Sequence, residues 1–434
     1  MDGWTKAKVI AAAMVGNTLE FYDLFIYGFL AITIAKVFFP AQTELMSVLI
    51  TVGTFGASYI MRPWGAVLLG SFSDRKGRKA GMMLTIWAMG IGTALIAFSP
   101  SYAAIGILAP LIVVLGKLLQ GFSAGGEFGT SVSFVVEHAP RDQRGFFASF
   151  QVVGIGLATA LAAAAGLLLN KSLSPDQIVD WGWRVPFIFG LIIVPFGYFI
   201  RRHVDETPEF AGGPGGTKEP FRAVLASAKA RIALAIGIYS VAASTNYLLA
   251  VYIPTYAQRE LKLDPAMAFA GAFAFAMIQI VLPPIVGALS DRYGRLRFIV
   301  AGIILVGLST YPAFAWMINY PEPSVYLTAI SVLAVFVIIF QGAMPAFLSE
   351  LFPGGIRTTG LALIHNLNFT LFGGMAPFIC TLLIAETGSK YIPAYYVLVT
   401  VLMAIVSLWS FREPQAVSRA ATAANAIPEM DVAR

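Results

Sequence analysis

Glu20 and Asp23 stand three positions apart in an otherwise apolar run, and Tyr27 continues the same helical face. Two carboxylates this close, withdrawn from water, can share a proton and release it. A buried ion pair with Arg62 would use the same residues only to tie helices together. Arg62 lies deep in the next apolar run, just ahead of Pro63. Its planar guanidinium can grip a carboxylate through two parallel hydrogen bonds. It is therefore either an anchor for an anionic ligand or a structural partner of Asp23. Lys117, in "GKLLQG", offers positive charge to the same anion, or else snorkels towards the headgroups. Gln120 falls on the same face as Lys117 and can share the ligand. Glu127, in "GGEFG", is flanked by residues small enough to let helices pack closely. It is a second proton site or a packing hydrogen bond.

The later part of the chain offers uncharged chemistry instead. Asn246, Tyr247, Tyr252, Gln279, Gln341, His365, Asn366 and Asn368 are the polar residues of its apolar runs. Tyr27, Asn246, Tyr247, His365 and Asn366 join Arg62, Lys117 and Gln120 as candidate ligand contacts. Each Asn or Gln can equally serve only to join two helices. His365 could titrate or simply be held by a hydrogen bond. His138, His203 and His365 are too far apart for a metal site, and no metal ligand set is expected. The single cysteine, Cys380, excludes an intramolecular disulfide and a multi-cysteine metal site. No nucleophile–base pair is evident, so no catalytic residue is assigned and the chain is not expected to be an enzyme. No phosphate-binding loop suggests an ATP-driven pump, and no cofactor is implied.

The elements that must hold these residues are membrane helices. Of 434 residues, 58% are hydrophobic and 12% charged, against about 25% charged in a soluble domain. Apolar segments at roughly 9–36, 46–70, 80–99, 104–136, 145–169, 184–200, 231–256, 266–290, 298–318, 325–349, 358–385 and 391–411 each suffice to cross roughly 30 Å of hydrocarbon. The first is not a cleavable signal, because it is long and carries Glu20 and Asp23. Most Lys and Arg fall on one side of this arrangement. The other side and its margins keep only Lys36, Lys171, Arg184, Arg259, Lys262 and Lys390. The bias puts both termini in the cytoplasm and explains the net charge of +6 without a nucleic-acid partner.

The chain repeats itself. "GSFSDRKGRK" after the second segment and "GALSDRYGRL" after the eighth share G-x-x-S-D-R-x-G-R, with Asp74 and Asp291 offset by 291 − 74 = 217. Glu137 and Arg144 recur as Glu350 and Arg357, both offset by 357 − 144 = 213. The fold expected is an all-α membrane protein of about 12 transmembrane helices in two six-helix pseudo-symmetric halves. Residues 1–202 form one bundle, 203–229 a cytoplasmic linker containing "AGGPGGTKEP", 230–412 the second bundle and 413–434 a cytoplasmic tail. Parallel halves place a ligand between them near the midplane and can rock about it. An aspartate in these loops can cap a helix N-terminus or pair with an arginine across a helix gap. Asp74, Arg75, Arg78, Glu137, Arg144, Asp291, Arg295, Glu350 and Arg357 are the gating candidates. The alternative for the basic loop residues is retention of the loop inside the cell.

The doubled loop resembles the signature of the major facilitator superfamily. "GNTLEFYDLFIYGFLAITIAKVFFP", "YIMRPWGAVLLGSFSDRKGRK", "LLQGFSAGGEFG", "GWRVPF" and "YIPTY" resemble its metabolite:proton symporter branch. Within that branch, "GFLAITIAKVFFP" and "LLQGFSAG" are most similar to the citrate and tricarballylate proton symporters. The resemblance implies the major facilitator fold and a multi-pass, monomeric protein of the cell inner membrane. It implies import of a small organic acid, a di- or tricarboxylate such as citrate, with protons by alternating access. It also implies a coupling role for the E-x-x-D pattern of Glu20 and Asp23. Lys117 departs from the arginine usual at that place, which puts the substrate in question. A proton symporter for proline, betaine or a shikimate-like monoacid is the alternative, as is a transporter-like substrate receptor. The long coiled-coil tail common in osmosensing carriers is absent, and the central linker is short for a soluble output domain.

Overall fold

The computed structural model describes residues 3–76, 78–202, 229–352 and 354–410. The expected linker and tail lie outside them, apart from Lys229. Among the described residues every regular element is a helix. Before the linker these are α1 (Gly3–Phe29), α2 (Ala31–Phe38), α3 (Glu44–Ile60), α4 (Arg62–Lys76), α5 (Arg78–Ala97), α6 (Leu108–Ala124), α7 (Glu127–His138), α8 (Arg144–Ser172) and α9 (Arg184–Arg202). After it come α10 (Lys229–Asn246), α11 (Ile253–Arg259), α12 (Pro265–Tyr293), α13 (Arg295–Asn319), α14 (Pro323–Gln341), α15 (Met344–Glu350), α16 (Gly354–Asn368), α17 (Ala376–Thr387) and α18 (Ile392–Ser410).

Among the described residues, nine helices, counted across short breaks, are long and apolar enough to cross a membrane. The pair Glu20–Phe29 and Ala31–Phe38 makes a tenth, bent by 70° at Leu30. The expected segments 80–99 and 184–200 fall on α5 and α9, which are not counted among these spans. The number twelve thus stays an expectation. Large apolar side chains such as Trp64, Trp87, Leu308 and Trp409 point outward, the reverse of a water-soluble surface and suited to lipid.

The breaks repeat as the sequence motifs do. The fourth span is interrupted by turns at Gly125 and Gly126 and the tenth by turns at Gly342 and Ala343, again offset by 342 − 125 = 217. Stretches of π-helix, Tyr247–Tyr252 and Phe369–Gly374, interrupt the seventh and eleventh spans. Pro254, Pro345 and Pro377 stand in the first turn of the helices that resume after these interruptions. There a missing N–H costs least. Pro195, Pro283 and Pro284 lie inside continuous helices. The broken spans face the plane between the halves, where α7 packs on α16 and α3 packs on α17. Irregular backbone at membrane depth is tolerated where protein covers it.

α8 and α12 make the most extensive contact of the molecule and join the two halves. At one end of this contact Asp291 accepts hydrogen bonds from the backbone N–H of Gly145 (2.8 Å) and Phe146 (2.9 Å). These are among the first residues of α8, so Asp291 caps a helix that belongs to the opposite half. Arg295 donates to Asp291 (3.0 Å) and to Glu350 (2.7 Å). Any Cβ at Gly145 would collide with Asp291, Arg295 and the Gly287 carbonyl. A Cβ at Gly287, the first glycine of the second motif copy, would likewise collide with the Gly145 carbonyl, so both glycines permit a close helix crossing.

Candidate proton and substrate site

Four charged side chains lie buried in the first half. Arg62 and Lys117 are fully buried, and Asp23 and Glu20 are nearly so. α1 supplies both carboxylates, α4 starts with Arg62 directly after the turn at Met61, and α6 carries Lys117.

The carboxylates do not act as one cluster. Asp23 accepts a hydrogen bond from the Thr93 hydroxyl at 2.6 Å and feels the charge of Lys117. Glu20 instead acts on Arg62, Tyr59 and Tyr247. The two side chains share a helical face, yet they point to different neighbouring helices. The expected pairing of Arg62 with Asp23 is not formed. None of the three guanidinium nitrogens of Arg62 makes a hydrogen bond of good geometry. Its guanidinium carbon lies 4.1 Å from the centroid of the Tyr59 ring and 6.0 Å from that of Phe21. The Tyr59 and Tyr247 hydroxyls are hydrogen-bonded across the two halves.

Lys117 does not snorkel. Its ammonium donates to Gln120 Oε1 at 2.9 Å and lies 4.7 Å from the Tyr27 ring centroid and 5.3 Å from that of Phe55. Gln120 in turn donates to Thr93 at 2.9 Å. The result is a chain of donors from Lys117 through Gln120 and Thr93 to Asp23, spanning α6, α5 and α1. Tyr27 and Phe55 also wall a small apolar cleft closed on the other side by Val251, Tyr252 and Thr255. Cation–π contact of this desolvated kind contributes about 2 kcal/mol. It holds the ammonium without satisfying it as a carboxylate would.

The second half supplies amides. Gln279 donates to Asn246 Oδ1 at 3.0 Å and approaches Gln341 Oε1 at 3.5 Å. Asn246 Nδ2, Gln279 Oε1 and Gln341 Nε2 are buried without hydrogen-bond partners. Asn366 donates to the Gly125 carbonyl at 2.9 Å and so ties α16 to the break in the fourth span. His365 is sandwiched between Phe128 (3.6 Å between centroids) and Phe369 (4.1 Å), and faces the Tyr239 hydroxyl at 3.2 Å. Both residues therefore join the halves rather than stand open to a ligand. Glu127 opens α7, where its charge suits the N-terminal helix dipole. It is not a member of the donor chain.

Of the gating candidates, Asp291, Arg295 and Glu350 are joined by hydrogen bonds and ion pairs. Arg357 donates to the Ser349 carbonyl at 3.0 Å, and Arg144 Nε is buried without a partner. The side chains of Asp74, Arg75, Arg78 and Glu137 lie outside those described. Thr93 and Tyr59 were not singled out in the sequence. A lone threonine in "GIGTALIAF" has no spacing that separates it from one bonding its own helix. Among the described residues no three His, Cys, Asp or Glu side chains are grouped to hold a metal.

Residues 8–223 match the family model described as sugar (and other) transporter, and residues 236–429 that of the major facilitator superfamily. The chain is 38% identical to a citrate-proton symporter of Klebsiella pneumoniae over 91% of its own length and 89% of the relative's. It is 31% identical to a proline/betaine transporter of Salmonella typhimurium over 95% and 85%. Among solved structures it superposes on the proton:xylose symporter XylE bound to 6-bromo-6-deoxy-D-glucose with a TM-score of 0.80. That match has 16% identity and covers 95% of this chain and 96% of the other. A partially occluded inward-open form of XylE from E. coli gives a TM-score of 0.74, with 16% identity and coverage of 94% and 98%.

Proposed function

Because the chain belongs to the major facilitator superfamily, we propose that it imports a small organic acid, a di- or tricarboxylate such as citrate, together with protons. It is a multi-pass membrane transporter and not an enzyme. The observation that carries the substrate class is the buried guanidinium of Arg62. It is held by the Tyr59 ring, the Tyr247 hydroxyl and the charge of Glu20, with no carboxylate hydrogen-bonded to its fork among the described residues, and Lys117, a second buried cation, acts on Asp23 electrostatically. The similarity to citrate-proton symporters supports the same reading.

The charges explain the coupling. With Glu20 and Asp23 ionised, the four buried groups sum to zero. A proton alone leaves the cluster positive, and a carboxylate alone leaves it negative. Either state is costly in a dry core. Protons and ligand carboxylate groups taken up in equal number restore balance, so each raises the affinity for the other by the same factor. The halves touch at the Asp291 cap and through Tyr59 and Tyr247, so the cluster is shut between them. Transport then requires these contacts to open on one side at a time. Each net positive charge carried inward gains about 2.3 kcal/mol per 100 mV.

The test is uptake into proteoliposomes with a panel of di- and tricarboxylates, shikimate, proline and betaine, with and without a pH gradient. Citrate or a related polycarboxylate should exchange and should accumulate only with the gradient. Transport of betaine with no carboxylate would reject the substrate class, and indifference to the gradient would reject coupling.

A further inference from the structure

We propose that Thr93 is the positioning residue of the proton site, a hydroxyl that serves Asp23 in both its charged and its protonated form. The inference rests on Asp23 as the proton site of the symporter. Thr93 is fully buried on α5. Its one hydroxyl proton has two acceptors within reach, Asp23 Oδ2 at 2.6 Å and the Met89 carbonyl at 3.1 Å. Its oxygen accepts from Gln120 Nε2 at 2.9 Å and keeps a second lone pair.

When Asp23 is ionised, the hydroxyl proton points to Oδ2. When hydronium delivers a proton to Oδ2, the carboxyl O–H bond forms as the hydronium O–H bond breaks, leaving water. That new donor turns to the free lone pair of Thr93, and the threonine proton swings to the Met89 carbonyl. Gln120 keeps its bond throughout, and no heavy atom has to move. The other carboxylate oxygen, Oδ1, offers no such exchange. It is buried without a partner against Gly190, where a Cβ would collide with it. A proton held there would leave a buried donor unsatisfied.

The charged and titratable groups around Asp23 are Lys117 from α6 and, on its own helix, Glu20 and Tyr22. Thr93 on α5 and Gly190 on α9 contribute no charge. Thr93 is thus the group that meets the carboxylate directly, while Lys117 acts at a distance through Gln120 and Thr93.

The experiment uses the full chain in proteoliposomes with citrate as the probe and two readouts. Citrate counterflow at equal pH needs no net proton movement, and accumulation driven by a pH difference does. Thr93→Val keeps the β-branched shape and removes the hydroxyl. It should lower driven accumulation about tenfold or more while counterflow falls less than about threefold. Thr93→Ser, which restores the hydroxyl, should bring accumulation back to within about threefold of the wild type. Accumulation by Thr93→Val equal to the wild type would overturn the proposal. So would equal loss of both readouts in the valine and serine variants, which marks a packing role. A wild-type protein that exchanges citrate but ignores the pH difference would overturn the parent reading, and this one with it.

Discussion

The two halves turn opposite kinds of polarity towards the plane they share. The first buries two cations and two carboxylates, each with a neighbour of opposite charge. The second buries amides, tyrosines and a stacked histidine, with no charged side chain among its buried described residues. The charged half can change its net charge when a proton or an anion arrives. The amide half can only rearrange hydrogen bonds. In the proposed mechanism, substrate charge and proton are therefore read on one side, while the other side supplies shape, closure and the tie between halves.

The largest test of this division is Lys117→Gln. It keeps a polar side chain of similar reach but leaves the buried cluster one charge negative. Carboxylate transport should fall about a hundredfold or more, since breaking a buried charge pair costs about 3–5 kcal/mol. Unchanged kinetics would make Lys117 a bystander. Arg62→Lys is subtler, because it preserves charge and removes the planar fork. A drop in kcat/KM of about tenfold to a hundredfold, with protein yield retained, would show that geometry matters beyond charge. Wild-type kinetics would reduce Arg62 to an electrostatic counterweight. The smallest effect belongs to the second half. His365→Phe keeps the stack between Phe128 and Phe369 and deletes the ring nitrogens. Transport and its pH profile should change less than about threefold, since only a weak neutral hydrogen bond to Tyr239 is lost. A flattened pH profile would place proton chemistry in the wrong half.

Much of this arrangement was legible in the sequence because it rests on repeats and on the cost of intramembrane charge. The doubled G-x-x-S-D-R-x-G-R loop announced paired halves, and Asp291 caps a helix N-terminus as that loop suggested. Arg62 and Lys117 stood out because apolar runs rarely tolerate them. Direction was not legible. Helical spacing places Glu20 and Asp23 on one face but does not say that one leans to Arg62 and the other to Thr93 and Lys117. The bend at Leu30 had no proline to announce it, and the π-helical stretches at Tyr247 and Phe369 leave no fixed spacing. Thr93 was invisible for a related reason, since its role comes from a carboxylate 70 residues away.

The cap that Asp291 places on α8 has a consequence for how this protein can vary. Asp291 holds the opposite half by peptide N–H groups, which no substitution can reverse and only one to proline can remove. A lost salt bridge between two side chains can be rescued by swapping the charges. Among the described residues Asp291 has no charged side-chain partner in the opposite half, so a double-mutant exchange there has nothing to exchange. Variation on that opposite side must act through backbone spacing at Gly145, whose Cβ-free contact admits no larger residue without displacing the helix. The cap is thus editable from one half only, and suppressors of an Asp291 defect should arise elsewhere, in residues that set the balance between the two open states.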